Sequence, residues 1–316
     1  MRRYVATRFA IAVLALTLPT LAAAQDAAPD TSIAKPLSYR LASKLGGSVH
    51  SSLGYSERYV FEFGGGRMEI VDDTFVLVAG DRSAPLDEAV TTVHAAVQSL
   101  WHGDLQHRPT RAATVWVFAS RKNYEKFVAE FGPKGARSSD LSFYVPESKL
   151  IPEISEIYFC AEGQGLGGIG HEIAHHLVRY DFPRAPTWLA EGLPALLEAA
   201  RPTPDGELHS QAHFRLETLR TALTKPDYAP LVRLDVLFGL RDDAAFRKHE
   251  ALSYALAREF LRWADSRHQL WPFYRLFREG VLTDETGEKA FATVFGKTPA
   301  DATDEFLDWI RSKEAE

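Results

Sequence analysis

The hydrophobic pattern of this chain of 316 residues changes near Gly167. Before that point, short runs of β-branched and aromatic residues alternate with segments of helical spacing. Beyond it, almost every apolar run has helical spacing, and prolines separate the runs. The pattern predicts an α+β fold, with an N-terminal mixed α/β lobe and a small sheet at residues 46–162. A mainly helical C-terminal lobe is predicted at residues 163–316.

The front half contains five predicted strands and two predicted helices. Apolar residues at three- and four-residue steps predict an amphipathic helix from about Pro85 to His102. Ser120 is the expected N-cap of a helix that carries Tyr124 and Phe127. Three glycines at 64–66 separate the first two strands and predict a hairpin turn. The strand segments are RYVFEF, RMEIV, TFVLVAG, ATVWVFA and SEIYFCAEG.

The first 24 residues have the pattern of a secretory signal peptide. Arginines flank the start of an apolar run from Phe9 to Leu18, and small residues end at Ala24. The run is shorter than the ~18 residues that a membrane span requires. We therefore predict a cleaved leader at 1–24, a linker at 25–45, no retained membrane span, and export to the periplasm or the medium.

Charge and cysteine content exclude two classes of protein. The formal net charge is −6 and no basic run is present, which argues against nucleic acid as a partner. Cys160 is the only cysteine, so the folded chain must be stabilised by core packing without an internal disulfide. We expect Cys160 to be a buried apolar thiol.

The segment His-Glu-Ile-Ala-His at 171–175 lies within an apolar run of helical spacing. Residues four apart share one helix face, with Cβ atoms ~5 to 6 Å apart. Both imidazoles can therefore bind one zinc ion at ~2.0 to 2.1 Å. Glu172 is rotated around the helix from His171, so its carboxylate lies beside the ion and can take a proton from a bound water. The motif supplies two ligands, His171 and His175, and a general base.

A second helix, WLAEGL, follows a loop that contains Pro183 and Pro186. A short, proline-stiffened connection can fold this helix back against the first and bring Glu191 to the third coordination position. Two histidines and one glutamate leave the fourth position open for water. Open coordination predicts a catalytic metal site.

These two segments resemble the gluzincin metallopeptidases. HEIAH followed by WLAEGLPALLE is similar to the paired helices of the aminopeptidase-N type and of peptidase MA-like exported bacterial proteins. The resemblance extends over about residues 157–198 and implies a zincin-like fold with the active-site helix between the lobes. It implies Zn²⁺ bound by His171, His175 and Glu191, with Glu172 as general base and Glu198 as a carboxylate that orients a ligand.

The chain departs from the aminopeptidase-N type in three respects. The 15 residues between His175 and Glu191 form a shorter interval than is usual in that type. It lacks the Gly-Ala-Met-Glu-Asn exopeptidase signature, so aminopeptidase specificity is not carried over. Pro194 stands in the second helix, where proline is tolerated only near a helix start, and this leaves the helix boundary open.

The expected function is zinc-dependent hydrolysis, with a peptide or protein substrate implied by the resemblance. The resemblance also implies Tyr254, on a later helix, as the candidate donor to the tetrahedral oxyanion, and a core tyrosine is the alternative. The family layout further implies that the strand from Glu156 to Ala161 pairs with an extended peptide. Two other functions stay open: an exported zinc-binding or scaffold protein without turnover, and a hydrolase of non-peptide amides or esters.

Three further patterns favour structural roles. Residues 163–168 match G-x-G-x-x-G, but a dinucleotide fold needs another parallel strand ~20 residues on, and a proline-rich loop and a helix follow instead. These glycines are expected to form a tight turn into the metal helix. His176 points about 100° away from His175 and is expected to be structural. His209 and His213 lack a glutamate between them and are expected to be surface polar residues.

Overall fold

The computed structural model describes residues 67–133, 140–146, 155–163, 165–198, 201–202, 208–209, 211 and 213–312. The predicted leader, the linker, the strand RYVFEF and the turn at 64–66 lie outside these residues. Among the described helices, none combines the length and the apolar character needed to cross a membrane.

A mixed sheet of five strands forms the front of the fold, in the order β1-β2-β3-β5-β4. The central strands β2, β3 and β5 are parallel, and β1 and β4 pair antiparallel at the two edges. The strands are β1 (Met68–Val71), β2 (Phe75–Ala79), β3 (Ala113–Phe118), β4 (Ser142–Val145) and β5 (Ser155–Cys160). The α+β prediction is confirmed at this level, because a small sheet precedes a mainly helical remainder.

Helices cover both faces of the sheet. Helix α1 (Leu86–Gly103) and helix α3 (Gly167–Asp181) pack on one face, and α2 (Arg121–Phe131) packs on the other. Every side chain of β3 is buried, as expected of a central strand with an unbroken apolar run. The side chain of Ser120 accepts a hydrogen bond from the backbone N–H of Asn123 at 3.5 Å, which confirms the predicted N-cap of α2.

Strand β4 changes one expectation. Strand β5 pairs with β3 on one side and with β4 on the other, so both of its edges are occupied. The expectation that Glu156 to Ala161 pairs with an extended peptide is therefore wrong. Among the described strands, β4 lies at this edge of the sheet.

The helical part begins with α3 and α4 (Thr187–Leu197), which pack against each other. The remaining helices are α5 (Phe214–Leu223), α6 (Leu234–Phe238), α7 (Asp243–Arg247), α8 (Glu250–Ser266), α9 (Leu270–Gly280), α10 (Glu288–Phe295) and α11 (Pro299–Arg311). A 3₁₀ turn spans Ala229–Leu231, and the two-residue strands β6 (Arg201–Pro202) and β7 (Leu208–His209) pair with each other. One continuous core runs from Phe75 in β2 to Ile310 in α11.

Asp181 anchors the C-terminal end of α3 and is only 2% exposed. Its Oδ1 accepts the backbone N–H groups of Gln106 and His107 at 2.7 and 2.8 Å. Its Oδ2 accepts the hydroxyl of Tyr274 at 2.8 Å and a guanidinium N–H of Arg278 at 2.6 Å. Burial alone would raise the pKa of Asp181, but these donors outweigh it and lower the pKa. These hydrogen bonds connect the C-terminal end of α3 to the loop after α1 and to α9.

Helix α4 continues through Pro194, which lies in the helix interior. From the sequence, a proline is expected only near the start of a helix, and this expectation is wrong for Pro194. Proline removes one backbone hydrogen bond of the helix, and packing against neighbouring helices stabilises α4 at this point. Helix α8 approaches so closely at Gly192 that a Cβ atom there would lie 2.9 Å from Cβ of Ala257. Arg258 of α8 also donates from Nε to the carbonyl of Ala195 at 3.0 Å, in the last turn of α4.

Candidate metal centre

The two predicted histidine ligands face each other on α3. Nε2 of His171 lies 3.0 Å from Nε2 of His175, and the ring centroids are 4.7 Å apart. The turn before the helix uses positive φ at Gly163 (88°) and Gly165 (64°), conformations that glycine adopts without steric cost. This geometry agrees with the predicted role of these glycines as a tight turn into the metal helix.

Helix α4 brings Glu191 to the histidines. Its Oε2 lies 3.5 Å from Nε2 of His175 and 3.9 Å from Nε2 of His171. One donor atom from each of the three residues lies within 4.8 Å of the other two. The structure thus brings together the three residues that the sequence analysis selects as ligands.

The donor set fits a zinc ion in both chemistry and spacing. Imidazole nitrogens and carboxylate oxygens are ordinary zinc ligands, and bonds of ~2.0 to 2.1 Å in a tetrahedron place donors ~3.3 Å apart. The separations of 3.0, 3.5 and 3.9 Å bracket that value. Burial and the neighbouring His171 lower the pKa of His175 well below its usual value, so this imidazole is neutral and able to bind a metal.

Glu198 lies behind His171. Its Oε1 is 3.0 Å from Nδ1 of His171, within ion-pair distance but outside regular hydrogen-bond geometry. Arg215 of α5 holds the same carboxylate with two N–H donors, at 3.1 Å from Nε and 2.8 Å from Nη2. Burial alone would raise the pKa of Glu198, but His171 and Arg215 outweigh it and lower the pKa to about 2. Glu198 is therefore an anion that can orient the ring of His171.

Glu172 is buried at the base of the cleft, with 6% of its surface exposed. Its Oε1 accepts the hydroxyl of Ser142, on the edge strand β4, at 3.0 Å. Burial raises the pKa of Glu172, although His171 and the Ser142 hydroxyl partly oppose that shift. A carboxylate of raised pKa beside two imidazoles has the properties of a general base.

Tyr254 of α8 reaches the same centre. Its hydroxyl donates to Oε2 of Glu191 at 2.7 Å, and the guanidinium of Arg215 lies 4.8 Å from the centroid of its ring. Burial and the charge of Glu191 raise the pKa of Tyr254, so the hydroxyl stays protonated as a donor. In this structure the donor serves the third candidate ligand.

Tyr144 links the edge strand to the metal helix. Its ring stacks nearly parallel to that of His175, with centroids 6.3 Å apart. Its hydroxyl lies 3.3 Å from Nδ1 of His176, whose Nε2 lies 3.2 Å from the carbonyl of Arg111. Burial lowers the pKa of His176 to about 4. These contacts agree with the structural role expected of His176.

An open cleft of about 430 Å³ reaches His171 and Glu172, whereas His175 and Glu191 are not among its lining residues. Its walls include Ser142, His171, Glu172, Glu198, His213, Phe214, Arg215 and Tyr254. The expectation that His213 is a surface polar residue is wrong. His213 is the N-cap residue of α5, and this position places its side chain in the lining of the cleft. Its Nε2 lies 3.8 Å from Oε2 of Glu198. The side chain of His209 lies outside the described residues.

Three residues of the site lie outside the sequence motifs. Ser142 and Tyr144 belong to the apolar and aromatic run at 141–145, and the pairing of this run with β5 as strand β4 brings them to the site. Arg215 belongs to no motif and becomes recognisable only when α5 packs beside Glu198. No protein-family model matches the chain, and no curated protein matches it either. Its function is therefore inferred from the residues of the site.

Proposed function

We propose that this chain is a zinc-dependent metallohydrolase of the gluzincin type, with a zincin-like fold, and that it hydrolyses peptide bonds. One observation carries the proposal. His171, His175 and Glu191 converge from two helices, while a separate buried carboxylate, Glu172, lies beside them without belonging to the donor set. A purely structural site gains nothing from that additional carboxylate.

Zinc bound to these three residues would act as a Lewis acid and lower the pKa of a water molecule toward ~7. Glu172 then has the role of moving the proton. Ser142 occupies its Oε1, which leaves Oε2 to accept the proton of the attacking water and to return it to the leaving amine. The buried position of Glu172 favours this exchange, since burial brings its pKa closer to neutrality.

Neighbouring side chains keep the donor set in place. Glu198, itself held by Arg215, fixes the orientation of the His171 ring. Tyr254 holds Oε2 of Glu191 through its hydroxyl, and a rotation of this side chain would turn the same donor toward the cleft that it lines. Tyr254 therefore remains our candidate for stabilising the oxyanion.

The edge strand supports peptide over other substrates. An extended peptide that pairs with β4 would lie along the strand whose Ser142 contacts Glu172. The carbonyl groups of such a peptide would pass close to the base. The proposal also includes export, with removal of residues 1–24 and a mature protein in the periplasm or the medium.

The test compares the purified mature protein with its Glu172→Gln variant on a mixed peptide library. We expect one zinc per chain in both proteins, with cleavage reduced by about 100-fold or more in the variant. Glu130→Gln, an exposed change on α2, is the control and should cleave like wild type.

Two outcomes contradict the peptidase proposal. Zinc binding without cleavage of any peptide by wild type would favour a scaffold protein. Cleavage confined to non-peptide amides or esters would retain the metal chemistry and change the substrate class.

A further inference from the structure

A second cavity, of about 650 Å³, lies beside the metal cleft. One side is a single face of α5, on which Phe214, Thr218 and Thr221 recur at helical spacing, and Lys225 follows just beyond the end of this helix. The other side is the start of α8 with the residues just before it. Phe214 lines both this cavity and the metal cleft, so the two are neighbours on either side of its ring.

The charged side chains of the lining are two lysines and two glutamates. Lys225 and Lys248 are exposed and form no ion pair within the described residues. The two glutamates are each paired with an arginine outside the lining. Glu217 accepts from Arg220 at 2.8 Å, and Arg247 is shared between Glu250 and Asp243. With these partners counted, four cations and three anions leave the region weakly basic on a chain whose net charge is −6.

The same lining exposes aromatic surface. Phe214 is 67% exposed and Tyr228 is 40% exposed, two of the three large hydrophobic side chains of the described chain that are this open to solvent. The ammonium of Lys225 lies 5.9 Å from the centroid of the Tyr228 ring. An apolar surface next to free cations is suited to a ligand that carries both apolar and acidic side chains.

The spacing matches an extended peptide. Along α8, Glu250 lines the cavity and Tyr254 lines the cleft, one helical turn or ~6 Å apart. Two residues of extended chain span about the same length. A peptide held at the metal centre would therefore reach the cavity within a few residues of the bond that is cut.

We propose that this cavity is an extended subsite for substrate, which binds a peptide segment rich in Asp and Glu with one aromatic or large aliphatic residue, beside the scissile bond. The proposal rests on the proposed peptidase function. It assigns substrate preference to Lys225, Lys248, Phe214 and Tyr228, four residues outside the donor set.

The experiment measures binding separately from turnover. Fluorescein-labelled dodecapeptides share one central sequence with a phenylalanine and carry four Glu, four Lys or four Ser on one side of it. Placing the block on either side in turn identifies which direction the cavity accepts. Binding is followed by anisotropy on the zinc-loaded Glu172→Gln protein, and kcat/KM is measured on the protein with Glu172 intact.

We expect the Glu-block peptide to bind about fivefold more tightly than the Ser-block peptide, with the Lys-block peptide weakest. The double change Lys225→Glu/Lys248→Glu should reverse this order. The matched control, Lys122→Glu/Lys126→Glu, makes the same charge change on the exposed side of α2 and should leave the order as in wild type.

The possible failures are distinguishable. Cleavage of all three peptides at rates that neither double variant alters overturns the subsite while the peptidase function stands. Lysine-dependent binding of the Glu-block peptide without cleavage supports the subsite and contradicts the peptidase. An absence of binding by any peptide contradicts both.

Discussion

Helix α3, which carries the candidate ligands His171 and His175, packs between a β-strand on one side and a group of helices on the other, called here the strand wall and the helical wall. The strand wall is β4, Ser142–Val145, whose side chains are all only partly buried. It reaches the site through single contacts, the hydroxyl of Ser142 and the ring of Tyr144. The helical wall consists of α4, α5 and α8, and it contains the fully buried charged side chains of Arg258 and Glu259.

This difference separates two tasks. The helical wall presents Glu191 and Glu198, and each carboxylate is fixed by a further side chain, Tyr254 or Arg215. Such support holds a donor set within narrow limits of position. The strand wall contacts Glu172, which we propose as the general base, and the proposed substrate would lie along the edge of β4. Changes in the helical wall should therefore cost stability and metal affinity, whereas changes in the strand wall should cost turnover.

The largest effect is expected from Arg258→Met. Arg258 pairs with Glu259 and also donates to the carbonyls of Ala195 and Gln211, at 3.0 and 2.7 Å. Its removal leaves buried polar groups without partners and should lower the free energy of unfolding by about 3 kcal/mol. Urea unfolding measures the change. Arg311→Met, in an exposed pair with Asp308, should unfold like wild type. Equal stability of the two variants would contradict the importance of the buried pair.

A smaller loss is expected from Gly192→Ala. The added Cβ would meet Cβ of Ala257 at 2.9 Å and Cδ1 of Leu261 at 3.1 Å, so α4 and α8 must separate. Overpacking of this kind costs about 1 to 3 kcal/mol. The shift also moves the adjacent Glu191, so zinc affinity should fall along with the unfolding midpoint. Gly280→Ala, where the added Cβ meets no atom within 4 Å, is the control. A stable variant with unchanged zinc affinity would show that the helices can yield.

Glu198→Gln tests the helical wall without a change in volume. The amide keeps the shape of the side chain but loses the charge that orients His171, and zinc should bind about 10 to 100 times more weakly. A competitive zinc titration measures the loss, with the exposed Glu130→Gln as the matched control. Unchanged affinity would mean that Glu198 serves only the packing of Arg215.

The smallest effect belongs to the strand wall. Ser142→Ala removes one hydrogen bond to Glu172, equivalent to about 1 kcal/mol, so kcat should fall about fivefold. Zinc affinity should match wild type, the free energy of unfolding should fall by no more than about 1 kcal/mol, and Ser142→Thr should recover kcat because it restores the hydroxyl. A loss of zinc affinity in Ser142→Ala would remove the distinction between the two walls.

Local patterns predict much of this fold. The helix expected from about Pro85 to His102 is observed at Leu86–Gly103, and Ser120 caps α2. The four predicted strands that fall within the described residues are all present. Helical spacing and capping are properties of neighbouring residues, so the sequence carries them directly. The convergence of Glu191 on the histidines follows from two such helices and a short loop.

Strand β4 has a short local signal, the apolar and aromatic run at 141–145, which is not among the strands predicted above. The other differences depend on contacts between distant segments. Pro194 argues against a helix interior locally, yet the close packing of α4 on α8 maintains the helix. No local pattern distinguishes His213 from a surface residue, and the packing of α5 places it in the lining of the cleft. The environment of both residues is decided by tertiary packing.

A zinc titration of wild type beside Glu191→Ala tests whether His171, His175 and Glu191 together bind one zinc ion. We expect one zinc per chain in wild type and an affinity at least about tenfold lower in the variant. The exposed change Glu288→Ala should leave binding unaltered. Zinc bound equally tightly by wild type and Glu191→Ala, or no zinc bound by wild type, would contradict this assignment.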